Sequence, residues 1–253
     1  MHITSWNVNS LNVRLPHVLQ YLHETAPDIL GLQELKQTDA AVDTTAIEAA
    51  GYHIATHGQK TYNGVALIAR EPLTDVVRGI PGYADEQARA IAASIGDVRV
   101  LNLYVPNGKA VGDEKYTYKL HWLDAATRYI DDLKREHPRL VITGDYNIAP
   151  ADLDVHDPDK WRDQILCSAP ERQALQNILA LGFKDAYRAL HPDTQQFSWW
   201  DYRMGGLRRN IGLRIDLTLA SDALALLDAG IDTAPRHWER PSDHAPAWVA
   251  IKN

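Results

Sequence analysis

The chain contains one cysteine, Cys167, so it can form no internal disulfide and no thiolate metal cluster within a single copy. Such cysteine usage fits a reducing compartment, and a cytoplasmic setting is expected. No run of about eighteen apolar residues occurs, which leaves no candidate for a membrane-spanning helix. The opening residues MHITSWNVNS lack a basic stretch followed by an apolar one, so no secretory leader is expected either. An excess of positive charge is also missing: 26 Lys and Arg stand against 33 Asp and Glu, a net charge of -7. That balance disfavours attraction of nucleic acid by the whole surface, although a local basic patch would suffice to neutralise phosphates. Low-complexity tracts, fixed-period repeats and Ser/Gly-rich linkers are absent.

What is present is apolar residues, 45% of 253, enough to bury a large core. Residues 1–253 are expected to form one domain, and the chain is expected to be a monomer. HITSWNV alternates with β-branched and aromatic residues, then Leu15, Val18, Leu19 and Leu22 recur at helical spacing before DILGLQE returns to strand, which predicts a βαβ start. Further strand-like runs follow at YHIATH, GVALIAR, ARAIAASI, VRVLNLYV, RLVITGD, LRIDLTLAS and APAWVAIK. Between Asp113 and Glu136, Tyr116, Leu120, Leu123, Thr127, Ile130 and Leu133 mark one face of a long amphipathic helix. A second helix is predicted from Glu171 to Leu181, stopped by Gly182. Many strands with few, long helices imply two sheets packed face to face with helices outside.

Several strand-like runs end in polar residues. Asn7 and Asn9 close the first, Glu34 follows ILGLQ, Tyr104 and Asn107 follow LNL, Asp145 and Asn147 follow RLVITG, and Asp243 stands beside His244 in PSDHAP. Taken singly, a carboxylate or amide after a strand is commonly just a helix cap or turn former, and a tyrosine there a packing aromatic. Gathered at one rim, the set offers hard oxygen donors suited to Mg2+ or Mn2+, whereas zinc would want more His or Cys. Asp216 differs from the others because it lies between Ile215 and Leu217, where an unpaired carboxylate would cost several kcal/mol. His244 is its natural partner, since a carboxylate fixes the imidazole tautomer and favours its charged form.

SWNVNS, LQELK, YNGVAL, LYVPNG, EKYTYKLHWLDA, GDYNIAP, SWWDYR, NIGLRIDLTLAS and PSDHAP together resemble the ordered motif set of the exonuclease III family of abasic-site endonucleases, in the endonuclease/exonuclease/phosphatase superfamily. The resemblance implies a four-layered α/β sandwich of the DNase I-like kind, with two mostly antiparallel β-sheets flanked by helices. It also implies Mg2+-dependent hydrolysis of phosphodiesters in duplex DNA, at an abasic site or a 3′ end, as endonuclease, 3′–5′ exonuclease or 3′-phosphatase. By the same resemblance Glu34 is the principal metal ligand, with Asn7 beside it and Asp243 near the metal or its water. Asp145 and Asn147 position or deprotonate the attacking water and hold the phosphate, and strand alternation would put both on one side. Tyr104, with Asn107 close by, contacts the phosphate; His244, oriented by Asp216, stabilises transition-state charge.

Substrate choice is expected in FSWWDYRMGGLRRNIGLR, where Arg203, Arg208, Arg209 and Arg214 are opposed only by Asp201. The resemblance to the exonuclease III family places Trp199 and Trp200 at a pocket for the abasic sugar, and Met204 near the position where that family inserts a side chain into the helix. Lys36, Lys115 and Lys119 could add phosphate contacts, although a charged helix face is the ordinary explanation for the last two. His156, Trp161 and Met204 are suspects for tuning the balance of activities. Two other readings are weighed: a same-fold hydrolase of a small phosphoester, which the Arg- and Trp-rich loop opposes, and a non-catalytic descendant, which should have lost Glu34, Asp145, Asn147 or His244.

Overall fold

The computed structural model describes all 253 residues. One six-stranded sheet runs β13 (Leu226–Ile231), β14 (Ala247–Ile251), β1 (His2–Asn7), β2 (Ile29–Gln33), β4 (Val65–Ala69), β3 (His53–His57). The other runs β5 (Thr74–Arg78), β6 (Ala90–Ile95), β7 (Val98–Tyr104), β8 (Leu140–Asp145), β12 (Asp216–Ser221), β9 (Phe183–Asp185). A short ribbon pairs β10 (Trp199–Trp200) with β11 (Gly212–Leu213). Only β1–β2 and β7–β8 are parallel, as the predicted βαβ start requires for the first pair.

Alternation sorts the side chains into layers. Ile3 of β1 faces inward and joins Ile91, Val100, Val141 and Ala220 of the other sheet in one core cluster, whereas Trp6 faces outward. There it packs with Val18, Tyr21 and Leu22 of α1 (Leu11–Thr25) and Ile47 of α2 (Thr44–Ala49). On the far side, α3 (Glu114–Glu136) lays Trp122, Leu123 and Ile130 over Leu101, Leu103 and Ile142, together with Leu175 and Ile178 of α5 (Ala169–Ala180). The order is therefore helix, sheet, sheet, helix. The short α4 (Pro158–Trp161) lies in the long connection after β8, and α6 (Ala186–Leu190) packs against β9 and β12 of one sheet and β13 of the other. No helix is long and apolar enough to cross a membrane.

Asp113 caps α3 at the predicted start, its carboxylate accepting the Lys115 N–H at 2.9 Å. The second long helix begins two residues earlier than predicted. The Ser168 N–H and hydroxyl both donate to the Glu171 carboxylate, at 3.1 and 2.6 Å, with Pro170 in the first turn, and this cap fixes the start. Four strands lack the expected pattern because they are short or lie at sheet edges: β5 has no buried residue, β9 and β10 are very short, and β13 is broken by an irregularity between Leu226 and Asp228.

Strand register builds the rim. Asn7 lies opposite Gln33, the residue before Glu34; Tyr104, Asp145 and Asp216 are aligned across β7, β8 and β12. At Gly144 an added Cβ would lie 2.1 Å from the Leu103 carbonyl oxygen, so only glycine lets β8 approach β7 just before Asp145. Under the rim a buried polar layer ties the sheets together. Gln33 Nε2 donates to Asn102 Oδ1 at 2.7 Å, and Asn102 Nδ2 donates to the carbonyls of Leu32 and Ala66 at 2.8 and 2.9 Å.

Candidate active site

Glu34 leaves β2 with φ at +56°, a left-handed conformation that costs a non-glycine residue on the order of 1 kcal/mol. Backbone bonds offset that strain: the Ser10 N–H donates to the Glu34 carbonyl at 2.8 Å, and the Leu35 N–H donates to Gly64 O at 3.2 Å. The turn aims the half-buried Glu34 carboxylate at Asn7. From there Asn7 Nδ2 donates to Glu34 Oε1 at 2.8 Å and to Asp145 Oδ2 at 2.9 Å, so one amide spans the two carboxylates. Lys36, also left-handed, holds the other Glu34 oxygen at 3.0 Å.

Asp145 and Asn147 both lie at the end of β8, but strand alternation does not relate them. The strand ends at Asp145, and Asn147 takes φ +48° with its N–H donating to Asp145 Oδ1 at 2.9 Å. The aspartate closes a tight turn by accepting the N–H two residues on, and this fixes the backbone from which the Asn147 side chain projects. Asn147 Nδ2 then donates to Val105 O at 3.0 Å, and its Oδ1 accepts from Asn107 Nδ2 at 3.2 Å. Tyr146 turns into the core, as expected.

The Asp216–His244 pair is present. His244 Nδ1 lies 2.9 Å from Asp216 Oδ2, and Nε2 lies 3.7 Å from Asp145 Oδ2. Burial by itself would lower the His244 pKa, yet the carboxylates of Asp216 and Asp145 outweigh it and raise it to about 10. Burial, reinforced by Asp216 and Glu34 against the opposing pull of His244, pushes Asp145 up to about 7. Burial also holds the Tyr104 hydroxyl well above its ordinary range, with Glu34 and Asp145 adding to the shift, so the phenol keeps its proton. The Arg89 guanidinium stacks 4.8 Å from the Tyr104 ring centre.

Two serines in this machinery escaped the sequence reading. Ser198 Oγ donates to Asp216 Oδ2 at 2.6 Å and accepts the N–H groups of Ile215 and Asp216. Ser242 Oγ donates to Asn7 O at 2.6 Å and accepts the His244 N–H at 3.2 Å. Their signal was positional: each lies inside a quoted motif, FSWW or PSDH, but a lone serine carries no pattern of its own.

Other predicted residues are placed differently. Asp243 stands outside the Glu34–Asp145–His244 group, its oxygens accepting from Asn9 Nδ2 and Trp199 Nε1, each at 3.0 Å. Trp199 is half-buried and bridges His244, but Trp200 is in the core with Phe197, Tyr187 and Ala247 and cannot wall a pocket. Arg214 is likewise buried, in ion pairs with Asp154 and Asp185 at 2.7 Å, and leaves the basic loop. Lys119 has no exposed surface and is out of reach of a DNA backbone. Arg203 is held by Asp201 at 2.8 Å; Arg208 and Arg209 are exposed, and Met204, 83% exposed, forms the loop tip. On the opposite flank a cavity of about 490 Å³ is lined by Tyr104, Arg89, Asn107, Lys109 and Lys115.

Two packed sheets opening one rim on paired carboxylates, amides and a carboxylate-held imidazolium define a metal-dependent phosphoester hydrolase. The chain belongs to the endonuclease/exonuclease/phosphatase family, which it matches over residues 4–244. It is 39% identical to the exodeoxyribonuclease III of Haemophilus influenzae, with all of both chains covered. Among solved structures, the 3′ phosphatase NExo from Neisseria, bound to a product DNA hairpin, superposes with a TM-score of 0.99 at 46% identity over the whole of both chains. An AP endonuclease from Archaeoglobus fulgidus follows at 0.96 and 36%, again with full coverage of both.

Proposed function

We propose that this chain, acting as one domain in a reducing, cytoplasmic setting, is a divalent-cation-dependent DNA repair phosphodiesterase of the exodeoxyribonuclease III type. Its substrate is duplex DNA carrying an abasic site or a 3′ end. The observation that carries the reading is the convergence of Glu34, Asn7, Asp145, Asn147 and the Asp216–His244 pair on one rim, between exposed Arg208 and Arg209 on one side and Arg89, Lys109 and Lys115 on the other.

The donor set fits a cation that prefers oxygen. Glu34 and Asp145 offer carboxylate oxygens of the kind Mg2+ or Mn2+ takes, and the His244 ring lies within 4.8 Å of both with its Nδ1 engaged by Asp216. When bound, such a cation would neutralise phosphate charge and make an attacking water more acidic. Asp145 accepts the water proton once it is itself ionised, and Asn147 donates its amide to a non-bridging phosphate oxygen. The His244 imidazolium, held by Asp216, faces the charge that builds on the phosphorus-bound oxygens, and Tyr104 donates to the phosphate or the departing oxygen.

The test is incubation with three substrates, each with Mg2+ or with EDTA: a duplex with one abasic-site analogue, a duplex with a recessed 3′ end ending in hydroxyl or phosphate, and a small phosphodiester. Cation-dependent cleavage of either duplex is expected. Cleavage of the small ester alone would replace this reading with that of a small-phosphoester hydrolase.

A further inference from the structure

The Lys119 side chain lies on the buried stripe of α3, three residues after Tyr116 and four before Leu123. Its three ammonium protons meet three acceptors: Asn147 O at 2.7 Å, Asn107 O at 3.2 Å and the Glu171 carboxylate. Glu171 is itself fixed, accepting from Leu166 N at 3.1 Å and from Ser168 Oγ at 2.6 Å. Gly108 sits over the Lys119 stem, where an added Cβ would lie 3.1 Å from Lys119 Cδ.

The two carbonyls belong to the two loops whose side chains meet at the rim, since Asn107 Nδ2 donates to Asn147 Oδ1. Asn147 is the residue held in a left-handed conformation, so its backbone needs support from outside its own turn. We propose that Lys119 is a positioning residue for phosphoester hydrolysis: its ammonium clamps the Asn107 and Asn147 loops from below and aims the Asn147 amide at the phosphate, without touching DNA. This inference rests on the phosphate-binding role of Asn147 given above.

Removing the lysine alone would strand a buried carboxylate, so the informative variants neutralise both partners, K119M/E171M and K119Q/E171Q. A glutamine amide still donates to one carbonyl and a methionine to none. Turnover at saturating DNA should therefore fall in the order wild type, glutamine pair, methionine pair, the last by about tenfold to a hundredfold, with KM within about twofold. DNA affinity measured in EDTA, and its salt dependence, should stay at wild-type values. In an N147A background the methionine pair should lower turnover little further, because the clamp acts through the residue already removed. Additive losses in that background would overturn the proposal. So would a loss confined to affinity and salt dependence, which would make Lys119 a phosphate contact, or a reversed order of the two pairs. If N147A itself kept normal turnover, the phosphate-binding role of Asn147 would fail instead, a result separate from failure of the clamp.

Discussion

His244 and Asp216 meet through Nδ1 and Oδ2 at 2.9 Å although 28 residues separate them in the chain, and both are buried. The contact fixes which ring nitrogen faces the cleft, leaving Nε2 directed at Asp145. D216N removes the anion while keeping the shape. Turnover should fall by at least about a hundredfold with DNA affinity nearly unchanged. Stability should change with pH in a defined sense. His244 is raised from 6.5 to about 10 in the folded chain, so its stabilisation is complete below about 6.5 and disappears as pH rises through 10. The melting-temperature advantage of wild type over D216N should accordingly shrink between pH 7 and pH 10. A gap that stays constant across that range would show that Asp216 does not hold the proton on His244.

Asp145 shifts stability in the same direction as pH rises, but in a lower window and because burial disfavours its charged form. Its carboxyl is raised from 3.8 to about 7, so the folded chain keeps a proton that the unfolded chain gives up, and this group opposes stability as pH climbs from about 4 to 7. The same proton must leave before Asp145 can act as a base. The rate should rise with pH towards about 7 and decline near 10 as His244 discharges, and D145N should lose at least about a hundredfold while still binding DNA. Because a cation favours the ionised carboxylate, the acid limb should move to lower pH as Mg2+ is increased. An acid limb that ignores Mg2+, or near-normal turnover in D145N, would remove Asp145 from the role of base.

Glu34→Gln tests the cation site with a change of one charge and almost no change of shape. The Asn7 amide can still donate to the remaining carbonyl oxygen, so the left-handed turn at Glu34 should persist. The Mg2+ concentration for half-maximal rate should rise at least about tenfold, with most of the rate recovered at saturating Mg2+. A titration curve that superposes on wild type would mean that the cation is held elsewhere.

How far the sequence revealed these arrangements depends on what each residue's pattern could carry. The apolar runs leading to Asn7, Glu34, Tyr104 and Asp145 were legible because buried strands need them, and their polar ends marked the rim. Edge strands such as β5 and β13 were not, since half-exposed strands impose no such pattern. Adjacent residues of a strand face opposite sides, so Trp199 and Trp200 could never both line one pocket, and burial assigns the second to the core. Lys119 was legible in principle: it falls on the helical spacing of Tyr116, Leu123 and Ile130, and a lysine on that stripe must be paired internally. Ser198 and Ser242 depend on partners far along the chain, the Asp216 carboxylate and the Asn7 carbonyl, which no local pattern encodes; the turn at Asn147 is local, an aspartate accepting the N–H two residues on, but strand alternation masks it in the sequence.

The net charge of -7 sets the frame for the last prediction, because a chain repelled overall by DNA must attract it locally. Arg203 is neutralised by Asp201, and Arg214 by Asp154 and Asp185, which leaves Arg208 and Arg209 as the exposed cations of the loop with no ion-pair partner. If each meets one phosphate, R208A and R209A should each reduce the slope of log affinity against log salt by about 0.9 and weaken binding at low salt, while turnover at saturating DNA stays near wild type. The R203A substitution should change the slope less, since Asp201 already screens that charge. Equal effects for all three would mean that the Asp201 pair opens on binding. No effect at Arg208 and Arg209 would move the DNA path to the Arg89, Lys109 and Lys115 flank, where the corresponding substitutions would then carry the salt dependence.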